Sequence, residues 1–144
     1  MSAISEKVQA ALFTKLNVSA VTTAGATGVY ESKAPSDAST PFVLFNRQAP
    51  GAVVYAFGAP THVLEQDLWL IKAVVSEGDS TTQSPQALAE DISQACETAV
   101  GNTLTLSGNT VVWCARFADM PGFEERQNDR YVYHRGFLLS VATR

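Results

Sequence analysis

The chain is poor in the residues from which catalytic and metal sites are usually built. In 144 residues it has two cysteines, Cys96 and Cys114, and two histidines, His62 and His134, all far apart. No zinc or redox spacing can be written from them. The thiols are expected as small buried side chains in a reducing cytoplasm, the alternative being a bridge between them. His62 and Glu65 stand three apart on a strand pattern, which sends them to opposite faces and gives no metal site. His134, between Tyr133 and Arg135, is expected as a hydrogen-bonded structural histidine. There is no Gly-x-Ser-x-Gly elbow, no phosphate loop and no dinucleotide fingerprint. Glu124 and Glu125 are adjacent carboxylates with no third group to orient them, so they read as solvated charge. These gaps argue against an enzyme and against a bound cofactor.

Other features are missing as well. No apolar run approaches a membrane span. The first residues lack a charged leader followed by an apolar block, so no signal peptide is expected. Basic residues do not cluster, which argues against tight duplex binding. The net charge of −4 is uneven: residues 61–100 hold seven acids against Lys72 alone. An acidic surface of that kind suits a lining past which DNA slides without sticking.

At 144 residues and 15.4 kDa the chain is one domain, residues 1–144, long enough for a full core. Its centre is the stretch 67–75. Leu68, Leu70 and Val74 fall on one side of an extended strand, and Trp69, Ile71, Ala73 and Val75 on the other, so cover on both faces is expected. Ile4, Val8, Leu12 and Leu16 recur every four residues and predict a helix over 2–16. Residues 17–27 read as a loop, 29–31 and 42–48 as strands, and 61–75 as a long strand whose polar first half projects past the sheet edge. Ser84-Pro85 opens a second helix and Gly101 closes it. Residues 103–106 alternate as a strand, and 110–118 form another, with Val111, Trp113, Ala115 and Phe117 on one face. A charged Pro-Gly loop, 119–129, leads to a terminal strand over 131–141. The layout is α+β: a mostly antiparallel or mixed sheet of four to six strands with two helices packed on one face.

One segment departs from an ordinary connection. Residues 50–60 are apolar and uncharged, bracketed by Pro50-Gly51 and Gly58-Ala59-Pro60. They read either as a hairpin tip folded onto its own core or as an arm that buries Val53, Tyr55 and Phe57 against another subunit.

Two stretches carry a family resemblance. One is Gly28-Val29-Tyr30-Glu31-Ser32-Lys33-Ala34-Pro35 followed by Thr40-Pro41-Phe42-Val43-Leu44-Phe45. The other is the long strand leading into the alanine-rich helix 84–99, with Tyr133-His134-Arg135-Gly136-Phe137-Leu138 near the end. With the short amphipathic helix before them, they resemble the tail-terminator (tail-completion) family of long-tailed bacteriophages, in the order of elements over nearly the whole chain. The resemblance implies an α+β virion subunit, assembled in the host cytoplasm as a ring, commonly a hexamer. That ring ends tail-tube polymerisation at the head-proximal end of the tail and meets the tube protein and a head-completion protein. DNA passes through it without specific binding. Alternatives are a head–tail connector or minor tail component and, further off, a small cellular binding domain.

On the ring reading, Val53, Tyr55, Phe57 and Arg47 are candidates for the subunit interface. Phe123, Glu124, Glu125 and Arg126 are candidates for tube or head contact. Glu65, Asp67, Glu90 and Asp91 are candidates for the lumen. No residue is assigned to catalysis, a cofactor or a metal.

Overall fold

A computed structural model describes residues 3–49, 53–55 and 62–144, with side chains placed for 4–48 and 64–144. The elements run α1 (Ala3–Leu16), α2 (Ser19–Ala24), β1 (Val29–Glu31), β2 (Phe42–Ala49), β3 (Val53–Tyr55), β4 (His62–Ser76), α3 (Pro85–Val100), β5 (Val111–Gln127) and β6 (Arg130–Thr143). The strands form one mixed sheet in the order β1-β2-β4-β6-β5, with β3 paired to the start of β4. Only β1 and β2 are parallel. The α+β class and helices on one face hold, with three helices among the described residues in place of two.

The four-residue stripe of α1 does what its spacing predicts: Val8, Leu12 and Leu16 are buried against the sheet. At the start of α3 the Ala87 N–H donates to Ser84 Oγ at 3.2 Å, and Pro85 occupies the first turn. Leu88, Ile92, Cys96 and Val100 of that helix are buried. Helix α2 lies in the stretch expected to be a loop. It is six residues of small and β-branched side chains with one buried anchor, Val21, too short for a periodic signal. Gly25 ends it at φ 132, close under Leu88 and Ile92, a backbone conformation that side-chain-bearing residues rarely adopt.

Three further expectations change. Residues 103–106 are not a strand; Leu104 and Leu106 are anchors of a connection that packs into the core. Lys7 Nζ ties that connection to α1 by donating to Ser107 O and Asn109 Oδ1. The Pro-Gly stretch 119–129 is not a loop. Strand β5 continues through it to Gln127, absorbing Pro121 and Gly122 in a bulge between Met120 and Phe123, where an unpaired residue and a missing donor are tolerated. The turn itself is Asn128-Asp129, with φ of 47° and 66°. The first half of β4 does not project past the sheet, because it pairs with β3 and, from Glu65 onward, with β6.

Cover on both faces of β4 also fails. Trp69, Ile71, Ala73 and Val75 are buried in the cluster beneath the helices. Among the described residues no helix lies over the other face, where Leu44, Leu68, Leu70 and Leu138 are only half-buried. Gly136 sits in the middle of that face, opposite Lys72. A Cβ on it would fall 2.1 Å from Ile71 O, so the close approach of β4 and β6 requires glycine there.

Candidate interaction surface

Register decides which β5 side chains leave the core. Cys114 pairs with Val141 and faces the helices. Its neighbour Trp113, opposite Ala142, therefore stands on the open face. A bulge between Val111 and Trp113 and another between Arg116 and Ala118 offset the alternation, so Val111, Trp113, Ala115 and Phe117 are not one buried row. Val111 packs against the core, whereas Val112, Trp113 and Phe117 are 54%, 56% and 65% exposed. Phe123 and Tyr131, further along the same hairpin, are exposed as well. Sequence reasoning put Trp113 and Phe117 on one face with Val111 and did not single them out as surface, because strict alternation does not register the bulges. The unbroken run Val111-Val112-Trp113 was the available sign that both sides of this strand are apolar.

Near the hairpin's far end the open face carries a small polar cluster. The rings of Phe123 and His134 stack 4.4 Å apart. His134 Nε2 lies 2.7 Å from Glu125 Oε1, as expected of a structural histidine, and its Nδ1 is buried without a hydrogen-bond partner. Lys72 Nζ stands 5.9 Å from the Phe123 ring centre. Burial lowers the pKa of His134; the Glu125 hydrogen bond opposes this and the Lys72 charge adds to it. Burial likewise lowers the pKa of Lys72, against the pull of Glu125. With Nδ1 enclosed and no nucleophile bonded to the imidazole, this pair lacks the orienting and attacking partners of a catalytic histidine.

The other candidate residues are distributed as follows. Arg47 is engaged inside the subunit, its Nη2 donating to Asp67 Oδ1 at 2.9 Å and its Nε to the same oxygen at 3.2 Å. Ser5 Oγ donates to Asp67 Oδ2 at 2.7 Å and to Glu65 Oε1 at 3.2 Å. Glu65 and Asp67 are thus buried, at 5% and 3% exposure, and do not offer the solvent-facing charge expected of a lumen lining. They point to the helix side of β4, where the first turn of α1 covers them. Glu90 and Asp91 are on the outer side of α3, bonded to Arg135 Nε and to Gln83 Nε2. Glu124, Glu125 and Arg126 are exposed on β5, and Arg126 Nη2 reaches Asp129 Oδ1 at 3.2 Å. Val53 and Tyr55 belong to β3, whose side chains are not described, and Phe57 lies outside the described residues.

Cys96 and Cys114 are free and buried, and burial pushes the Cys96 thiol up to about 12. Among the described residues no group of three or more His, Cys, Asp or Glu could hold a metal ion, and no helix is long and apolar enough to cross a membrane.

No family model matches the chain, and no curated protein matches it. Solved structures do. One is a chain of a structure described as the virion of a native gene transfer agent particle, with a TM-score of 0.63 and 19% identity over 99% of both chains. A second solved chain matches with a TM-score of 0.62 and 12% identity, over 99% of this chain and 97% of that one. The fold, from end to end, is one that a gene transfer agent particle also contains.

Proposed function

We propose that the chain is a structural virion protein of the tail-terminator kind: a ring of identical subunits that ends tail-tube growth and joins the tail to the head. The observation that carries this reading is the end-to-end likeness to a chain of a gene transfer agent virion. The resemblance in element order points the same way, as does an aromatic surface on an edge strand. Exposed apolar surface on this scale is characteristic of contact between proteins. The partners on this reading are further copies of the chain, the tube protein and a head-completion protein. Of the acids proposed to line the passage for DNA, Glu90 and Asp91 remain on an outer surface.

Deletion of the gene from its particle tests the reading. The expected result is tails of irregular or excess length that fail to join heads, seen by electron microscopy of the lysate. Tails of normal length joined to heads would overturn it.

A further inference from the structure

Five large apolar side chains of the β5–β6 hairpin are exposed: Val112, Trp113, Phe117, Phe123 and Tyr131. At roughly half exposure they present on the order of 500 Å². One side of a standard protein interface covers about 800 Å², of which roughly 60% is apolar. Spread along the whole hairpin, this is about the apolar surface of one side of such a contact; Val112, Trp113 and Phe117 supply the part near Ala142, and Phe123 and Tyr131 the part near the turn. Strand β5 is the edge of the sheet, but three bulges interrupt it. Bulges blunt an edge against in-register pairing with a foreign strand, so the side chains, not the backbone, are what this edge offers.

A receiving surface lies at the other edge of the sheet. Helix α1 and the β1–β2 edge form an open groove of about 590 Å³, floored by Ala10, Phe13 and the buried Phe45 and rimmed by Glu6, Gln9, Thr14 and Glu31, with Phe13 43% exposed. A cavity of that size accepts a group as large as a drug-sized ligand, which covers a pair of aromatic side chains. Four strand spacings, about 19 Å, separate β1 from β5. Patch and groove are thus on opposite flanks of one subunit, the arrangement by which identical copies add head to tail and not as a closed pair.

From this we infer that a second copy of the chain is the occupant: Trp113 and Phe117 of one copy seat in the α1/β1–β2 groove of the next, against Phe13. The inference rests on the ring reading above and names its contact. Charge does not choose the pairing, because Arg116 beside the patch is already bonded to Asp119 and Glu97 of its own subunit.

The test uses the full chain in sedimentation velocity, with thermal melts to verify that each variant is folded. Trp113→Glu/Phe117→Glu removes the patch, and Phe13→Glu blocks the groove. Trp113→Ser/Phe117→Ser serves where the charged pair misfolds. Each variant alone is expected to be a monomer, and an equimolar mixture of the two is expected to form a one-to-one dimer and nothing larger, since one intact patch and one intact groove remain. A mixture that stays monomeric, or variants that keep the wild-type size, would overturn this contact while leaving the ring reading standing. Variants that keep the wild-type size and lose only the binding of another virion protein would likewise overturn it. A wild-type chain that is monomeric at every concentration would sink the ring reading itself.

Discussion

His134 shows how far one side chain is determined by its neighbours. Its ring is 7% exposed, stacked on Phe123 and bonded through Nε2 to Glu125, with Nδ1 enclosed. A proton on Nδ1 would be a buried donor with no acceptor, which is costly. The facing charges oppose each other: Glu125 on β5 favours the imidazolium and Lys72 on β4 disfavours it, while burial disfavours it most. The folded pKa is therefore below the ordinary histidine value of 6.5. The unfolded chain takes up the proton first, so the contribution of this group to stability is complete above pH 6.5 and declines as pH falls through the folded pKa. The expected outcome is a melting temperature that drops by more between pH 7 and pH 5 in the wild type than in His134→Gln. Equal drops in differential scanning calorimetry would show that the ring is not held neutral by the fold. The structural role was readable from the sequence, as a histidine between Tyr133 and Arg135 on a strand with no partner motif. The identity of its partner was not, because Glu125 lies across a strand pair that the sequence reading had broken with a loop.

That break illustrates what was legible among the elements. Helices α1 and α3 announced themselves through a four-residue stripe and a Ser-Pro start, signals that are local and periodic. Strand β4 announced itself by its apolar content. The second half of β5 did not, since Pro121-Gly122 and a charged run are the usual marks of a loop; only pairing with β6 over the long hairpin keeps them extended. Residues 103–106 failed in the opposite direction, because alternation there reflects two leucine anchors of a connection. Glu65 and Asp67 were expected on a polar strand half projecting past the sheet, as candidates for a lumen; what engages them instead is a serine and an arginine distant in sequence, Ser5 and Arg47. The true turn, Asn128-Asp129, has both residues at positive φ, the condition of the tight turn that matches strand twist. Glycine suits the second position better than aspartate does. Asp129→Gly is expected to stabilise the chain by about 0.5 kcal/mol, relief of the left-handed strain outweighing the added backbone freedom. The midpoint of urea unfolding measures it, and a lower midpoint would mean that the Arg126–Asp129 pair contributes more than the turn strain costs.

At the scale of the whole molecule, the sheet has helices on one side, a face of mixed leucines and polar residues on the other, and an aromatic edge. A lone domain usually distributes polar residues over a sheet face left to water. Here that face sets Leu44, Leu68, Leu70 and Leu138 among Asn46, Gln66, Lys72 and Ser140, and the adjoining edge adds Trp113 and Phe117, beside which Arg116 is paired within the subunit. Self-association built on such surfaces is driven by removing apolar area from water. Screening by salt acts on exposed charge pairs and leaves that term intact. On the ring reading proposed above, the oligomer is therefore expected to keep its mass between about 0.1 M and about 1 M sodium chloride, where the screening length shortens from ~10 Å to ~3 Å. Its melting temperature is expected to rise with protein concentration, as for any assembly that binds only folded subunits. Light scattering after gel filtration at the two salt concentrations is the measurement. Dissociation at high salt would mean that copies are held by charges such as Glu90, Asp91, Arg126 and Arg130, and the apolar edge would then have to serve a different contact. A mass indifferent to salt, joined to a melting point that climbs with concentration, is what the proposed ring requires of contacts made by apolar surface.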